Sequence, residues 1–90
     1  MEQNPHVLKQ LDDLAGLSTN EHATIAWAAE QAKIVLESRI NGEISAEEGA
    51  DILADLRQQA SIAMAADDIE NKTKCDAVLG LTASLLTFVI

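Results

Sequence analysis

Apolar residues recur along this chain at helical spacing, and no stretch alternates in the manner of a strand. Asn4 followed by Pro5 reads as an N-cap and a first helical position. Val7, Leu8, Leu11 and Leu14 follow, which predicts a short amphipathic helix over about 5–15 with Gly16 as a left-handed C-cap. Three further starts are marked by capping boxes: Ser18 to Glu21, Ser45 to Glu48 and Thr73 to Asp76. In each, a hydroxyl can accept from an orphan amide while an acid three residues on reaches back.

These signals predict an all-α fold. Its centre is an antiparallel hairpin of helices over about 19–41 and 46–70, turned at Asn41-Gly42, with an apolar C-terminal helix over about 74–89. In the first hairpin helix, Ile25, Ala29, Ala32, Leu36 and Ile40 form one stripe, while Ala23, Trp27 and Ile34 fall nearly opposite. Two stripes imply two sets of neighbours. In the second, Ile52, Leu53, Leu56, Ala60, Ala63 and Met64 share a face, which shifts near Ile62, and a break or kink is expected between Asp67 and Lys74. Asp67 interrupts the stripe, so it is expected to be exposed or paired with Arg39 or Arg57. The last helix is apolar nearly all round: Val78, Leu81, Leu85, Phe88 and Val89 on one side, Cys75, Leu79, Leu86 and Ile90 on the other. Water alone cannot surround such a helix.

Composition makes that excess more pointed. The 90 residues form one domain, 48% apolar, but the aromatics are only Trp27 and Phe88, and alanine is abundant. Alanine favours helix and buries little area, so the core is thin unless helices approach closely or another chain adds surface. The net charge of -9 opposes binding to phosphate backbones, so no nucleic-acid partner is expected. Its simplest role is to keep an apolar helical protein soluble. The single cysteine, Cys75, allows no intramolecular disulfide, in keeping with a cytoplasmic location. Met1 to Pro5 has neither a basic region nor an apolar run and does not read as a signal peptide.

Candidate chemistry is sparse. His6 and His22 lack the Glu-x-x-His spacing of a helical di-metal site, and a calcium loop begun at Asp67 has Lys72 where glycine is required. No glycine-rich phosphate loop occurs, because Gly16, Gly42, Gly49 and Gly80 are isolated. Cys75 reads as a small apolar residue beside Asp76, a neighbour that opposes thiolate formation. No catalytic, metal or cofactor site is therefore assigned, and no motif places the chain in a known family.

The expectation is a non-enzymatic protein–protein interaction module, a small regulator, adaptor or inhibitor acting as a homo-oligomer and engaging another protein. Its candidate interface comprises Trp27, Ile34, Leu79, Leu81, Leu85, Leu86, Phe88, Val89 and Ile90. One alternative is a protein that binds or sequesters a small anionic ligand through Arg39, Arg57, Lys72 and Lys74, between helices or subunits. Another is a membrane-peripheral helical protein. The stretch after Asp76 is short of the ~20 residues that span a bilayer, and negative charge opposes anionic lipid.

Overall fold

A computed structural model describes residues 3–90, so the N-terminal leader reading falls partly on Met1 and Glu2, outside the described residues. The fold is all-α: α1 (Pro5–Leu17), α2 (Ala23–Ile40), α3 (Ala46–Ala63) and α4 (Ile69–Leu85), followed by a 3₁₀ turn, Leu86–Phe88.

Local chemistry sets several of these ends. Asn4 Oδ1 accepts from the His6 amide at 2.8 Å, with Pro5 beginning α1. At the hairpin turn the Glu43 amide reaches the Ser38 carbonyl and the Gly42 amide the Arg39 carbonyl. That paired return needs a left-handed residue, which Gly42 supplies at φ +76°. Ser45 Oγ then accepts from the Glu48 amide at 3.0 Å, while Glu48 Oε1 accepts from the Ser45 amide at 3.1 Å, closing the expected capping box.

The other two boxes do not form. α1 runs on through Gly16, and Ser18 becomes its C-cap, with the Ser18 hydroxyl donating to the Ala15 carbonyl. α2 starts only at Ala23, where Asn20 Oδ1 accepts from the His22 amide. α3 ends at Ala63, and the extended Met64 opens the break earlier than the sequence placed it. Asp68, not Thr73, caps α4. The Thr73 hydroxyl bonds back to the Ile69 carbonyl inside the helix. Asp67 is exposed in that break. Its two candidate partners are engaged elsewhere, Arg39 with the Leu86 carbonyl and Arg57 with Asp76.

Sequential helices run antiparallel, so α2 and α4 run parallel. His22 lies beside Asp68 at one end of this pair, and Arg39 meets Leu86 at the other. α3 packs on one side of them and α1 on the other. Buried Ala28, Ala29 and Ala32 let α2 lie close to its neighbours, with Ile25, Val35 and Leu36 filling the spaces between. Leu53, Leu56 and Ala60 close the core from α3, and Val7 and Leu14 from α1. Packing is close at Gly49, where Leu86 Cδ1 sits 2.7 Å from where a side-chain carbon would stand.

This packing corrects the account of the last helix. Leu79 and Leu86 are fully buried and Leu85 nearly so, all within the single chain. α4 touches α1, α2 and α3, and Leu79, Leu85 and Leu86 are buried among these neighbours, while Leu81, Phe88 and Ile90 stay exposed. At about 1.5–3 kcal/mol per buried leucine, these residues stabilise the fold itself.

Candidate functional site

Among the described residues no group of three or more His, Cys, Asp or Glu side chains is placed to hold a metal ion. Cys75 is buried, and burial, followed by the charges of Asp76 and Asp68, pushes its thiol pKa up. Such a thiol is a poor nucleophile.

The polar arrangements that do exist tie helices together. Gln10 Nε2 donates to Thr82 Oγ1 at 3.0 Å inside the α1–α4 contact, and the Thr82 hydroxyl donates to the Val78 carbonyl at 2.8 Å. The Gln3 side-chain amide donates to the Ile90 carbonyl and accepts from the Ile90 amide, at 2.9 and 3.0 Å. His22 Nε2 lies 3.4 Å from Asp68 Oδ2. The Asn71 side-chain amide is the chief reason the Asp68 carboxyl lies below its ordinary pKa; the Asn71 backbone amide and His22 add to this, and partial burial opposes it.

The four candidate ligand-facing cations are dispersed. Arg39 Nε donates to the Leu86 carbonyl at 3.2 Å, where a cation complements the last carbonyls of α4. Lys72 and Lys74 lie on the first turns of α4, at the opposite end of that helix. Carboxylates already face Arg57, with Asp76 at 3.5 Å, and Lys74, with Glu70 at 3.6 Å.

Apolar surface is also exposed, in two recessed faces and, outside their linings, at Leu8, Ile62, Ile69, Phe88 and Ile90. On the α2–α3 side, Ala23, Thr24, Trp27, Gln59 and Ala63 line a recess of about 280 Å³. Trp27 packs partly against the core there. Helical spacing, carried two turns along from Trp27 and Gln59, brings Ile34 and Ile52 to this same side, and they are 49% and 42% exposed. On the α1–α4 side, Gln10, Asp12, Asp13, Gly16 and Leu17 face Ala77, Val78 and Leu81 across a groove of about 530 Å³. A smaller recess, lined also by His6, Lys9 and Leu85, shares Gln10, Asp13 and Leu81 with it.

Of the nine candidate interface residues, Ile34, Leu81, Phe88 and Ile90 are therefore exposed, the last three at 52, 56 and 59%. Trp27 and Val89 are half-buried, and Leu79, Leu85 and Leu86 belong to the core. Sequence reasoning missed the α1 wall of the groove. Its only local signal is Gly16, which leaves open space where a side chain would otherwise project. No helix among the described residues is long and apolar enough to cross a membrane. No known protein family, curated protein or solved structure matches the chain.

Proposed function

We propose that this chain is a non-enzymatic protein–protein interaction module, a small regulator, adaptor or inhibitor that works as a homo-oligomer. The observation supporting this reading is the α2–α3 face, where half-buried Trp27 stands in line with exposed Ile34 and Ile52. Tryptophan flanked by aliphatic side chains is a common composition for an interface centre. A second copy covering this face removes that surface from water, and the associating patch is distinct from the buried leucines of α4.

Association has to overcome repulsion between two chains of charge -9. It therefore strengthens with added salt, which screens that repulsion. Light scattering coupled to size exclusion tests the proposal at micromolar concentration. The expected mass is at least twice 9.6 kDa, falling toward one chain in Ile34→Asp. A wild-type chain that elutes as a monomer at both low and high salt refutes the homo-oligomer.

A further inference from the structure

We infer that the α1–α4 groove is the docking site for a cationic amphipathic helix presented by a partner protein. This surface lies away from the Trp27 face, so the inference stands whether or not the chain self-associates.

The groove has the length and lining for such a guest. Along α4 it runs from Ala77 to Leu85, a rise of about 12 Å, or roughly two helical turns. Leu17, Val78, Leu81 and Leu85 make its lining apolar. Leu81 borders both recesses, so guest side chains one turn apart seat on either side of it. The Gln10–Thr82 hydrogen bond fixes the two walls beneath the groove. A site held open in advance loses less entropy on binding.

Charge selects the guest. The α1 wall carries Asp12 and Asp13, joined by His6 and Lys9 in the smaller recess, whereas Ala77, Val78 and Leu81 on the α4 wall are uncharged. Lys9 lies 3.1 Å from Asp13, an exposed pair of small worth. Asp12 has no ion-pair partner among the described residues. A guest with an apolar stripe and Lys or Arg along the flank that meets α1 satisfies both walls. The overall charge of -9 draws such a segment in from a distance and repels acidic ones. A second copy brings the same -9 and lacks that complementarity.

The test uses a fluorescein-labelled peptide of about four helical turns, with leucines on one stripe and lysines elsewhere, titrated with the full chain and followed by anisotropy. A peptide with glutamate in place of lysine is the control. Variants are Leu81→Ser, the pair Asp12→Asn with Asp13→Asn, and the pair Asp51→Asn with Asp55→Asn on α3. All five positions are exposed, and the two acid pairs change net charge equally. Circular dichroism confirms that each variant is folded.

The lysine peptide should bind, with affinity falling as salt rises, and the glutamate peptide should not. Leu81→Ser should weaken binding about tenfold, the Asp12/Asp13 pair about fivefold, and the Asp51/Asp55 pair less than about twofold. Absence of lysine-peptide binding overturns the inference. So do equal losses from the two acid pairs, which would signify non-specific charge attraction, and an unchanged affinity in Leu81→Ser. Loss of self-association in Leu81→Ser, with peptide affinity intact, would make the occupant a second copy and likewise overturn it.

Discussion

The Gln10 side-chain amide, on α1, donates to the Thr82 hydroxyl, on α4, at 3.0 Å, and both side chains are buried. The bond spans 72 residues of sequence and fixes the register of α1 on α4. Thr82→Val keeps the shape but leaves the Gln10 donor without this partner, at a cost of about 1–3 kcal/mol. Adding Gln10→Leu removes the orphaned group, and most of the loss should be recovered. Urea denaturation of the two single variants and the double variant closes the cycle. Additive losses would show that the bond does not couple the helices.

Two glycines should respond to alanine with opposite signs. At Gly49 the new carbon meets Leu86 Cδ1 at 2.7 Å, and Leu86 is fully buried. Overpacking costs about 1–3 kcal/mol, against about 1 gained in helix propensity, so Gly49→Ala should lose up to about 2. At Gly80, inside α4, nothing lies within 4 Å of the new carbon. Gly80→Ala should gain about 0.5–1 kcal/mol. Thermal melts of both variants decide, and a rise in both would mean that Leu86 moves aside freely.

Asp68 makes stability depend on acid pH. Its carboxyl lies below the ordinary value of 3.8, chiefly because of the Asn71 side-chain amide and then the Asn71 backbone amide and His22. A group depressed in the folded state contributes stability above its unfolded pKa and loses it as pH falls through the folded one. The loss therefore lies at and below pH 3.8. Asp68→Asn still caps α4 but no longer titrates, so its urea midpoint should change less across that window. Parallel acid limbs in the two proteins would discount Asp68.

How much was legible in the sequence depended on whether a signal was complete within a few residues. The Asn4-Pro5 start, the Gly42 turn and the Ser45–Glu48 box are local, and each formed. Ser18 and Thr73 carry the same letters, yet each hydroxyl bonds a preceding carbonyl instead, because α1 runs past Gly16 and Asp68 starts α4 earlier. α4 shows the other limit. Its apolar circumference is plain in the sequence, but the number of helices packed around it is not. Leu79 and Leu86 therefore read as interface while serving as core. The groove's α1 wall was hidden because Asp12 and Asp13 look like ordinary solvated acids until Leu81 is seen across from them.

Cys75 should report opening of the bundle. It is buried, and burial together with nearby Asp76 and Asp68 raises its thiol pKa. A disulfide reagent at mildly alkaline pH should label the native chain far more slowly than the urea-unfolded chain. The native rate should rise with urea in step with the unfolding equilibrium. Labelling as fast as that of the unfolded chain would place the Cys75 stretch of α4 in solvent and contradict its packing.

The leucines and isoleucines of the candidate interface should separate into two classes. Leu79→Ala and Leu86→Ala remove fully buried side chains, and each should cost about 2–5 kcal/mol. Ile34→Ser and Leu81→Ser alter half-exposed positions, and each should change stability by no more than about 0.5 kcal/mol. Their effects should appear in association instead: Ile34→Ser in the mass of the assembly, Leu81→Ser in the affinity for the lysine peptide. Denaturant midpoints measured beside both binding readouts make the separation visible. If Ile34→Ser or Leu81→Ser destabilised the chain as much as Leu79→Ala, these side chains would belong to the core, and neither surface would be free to bind.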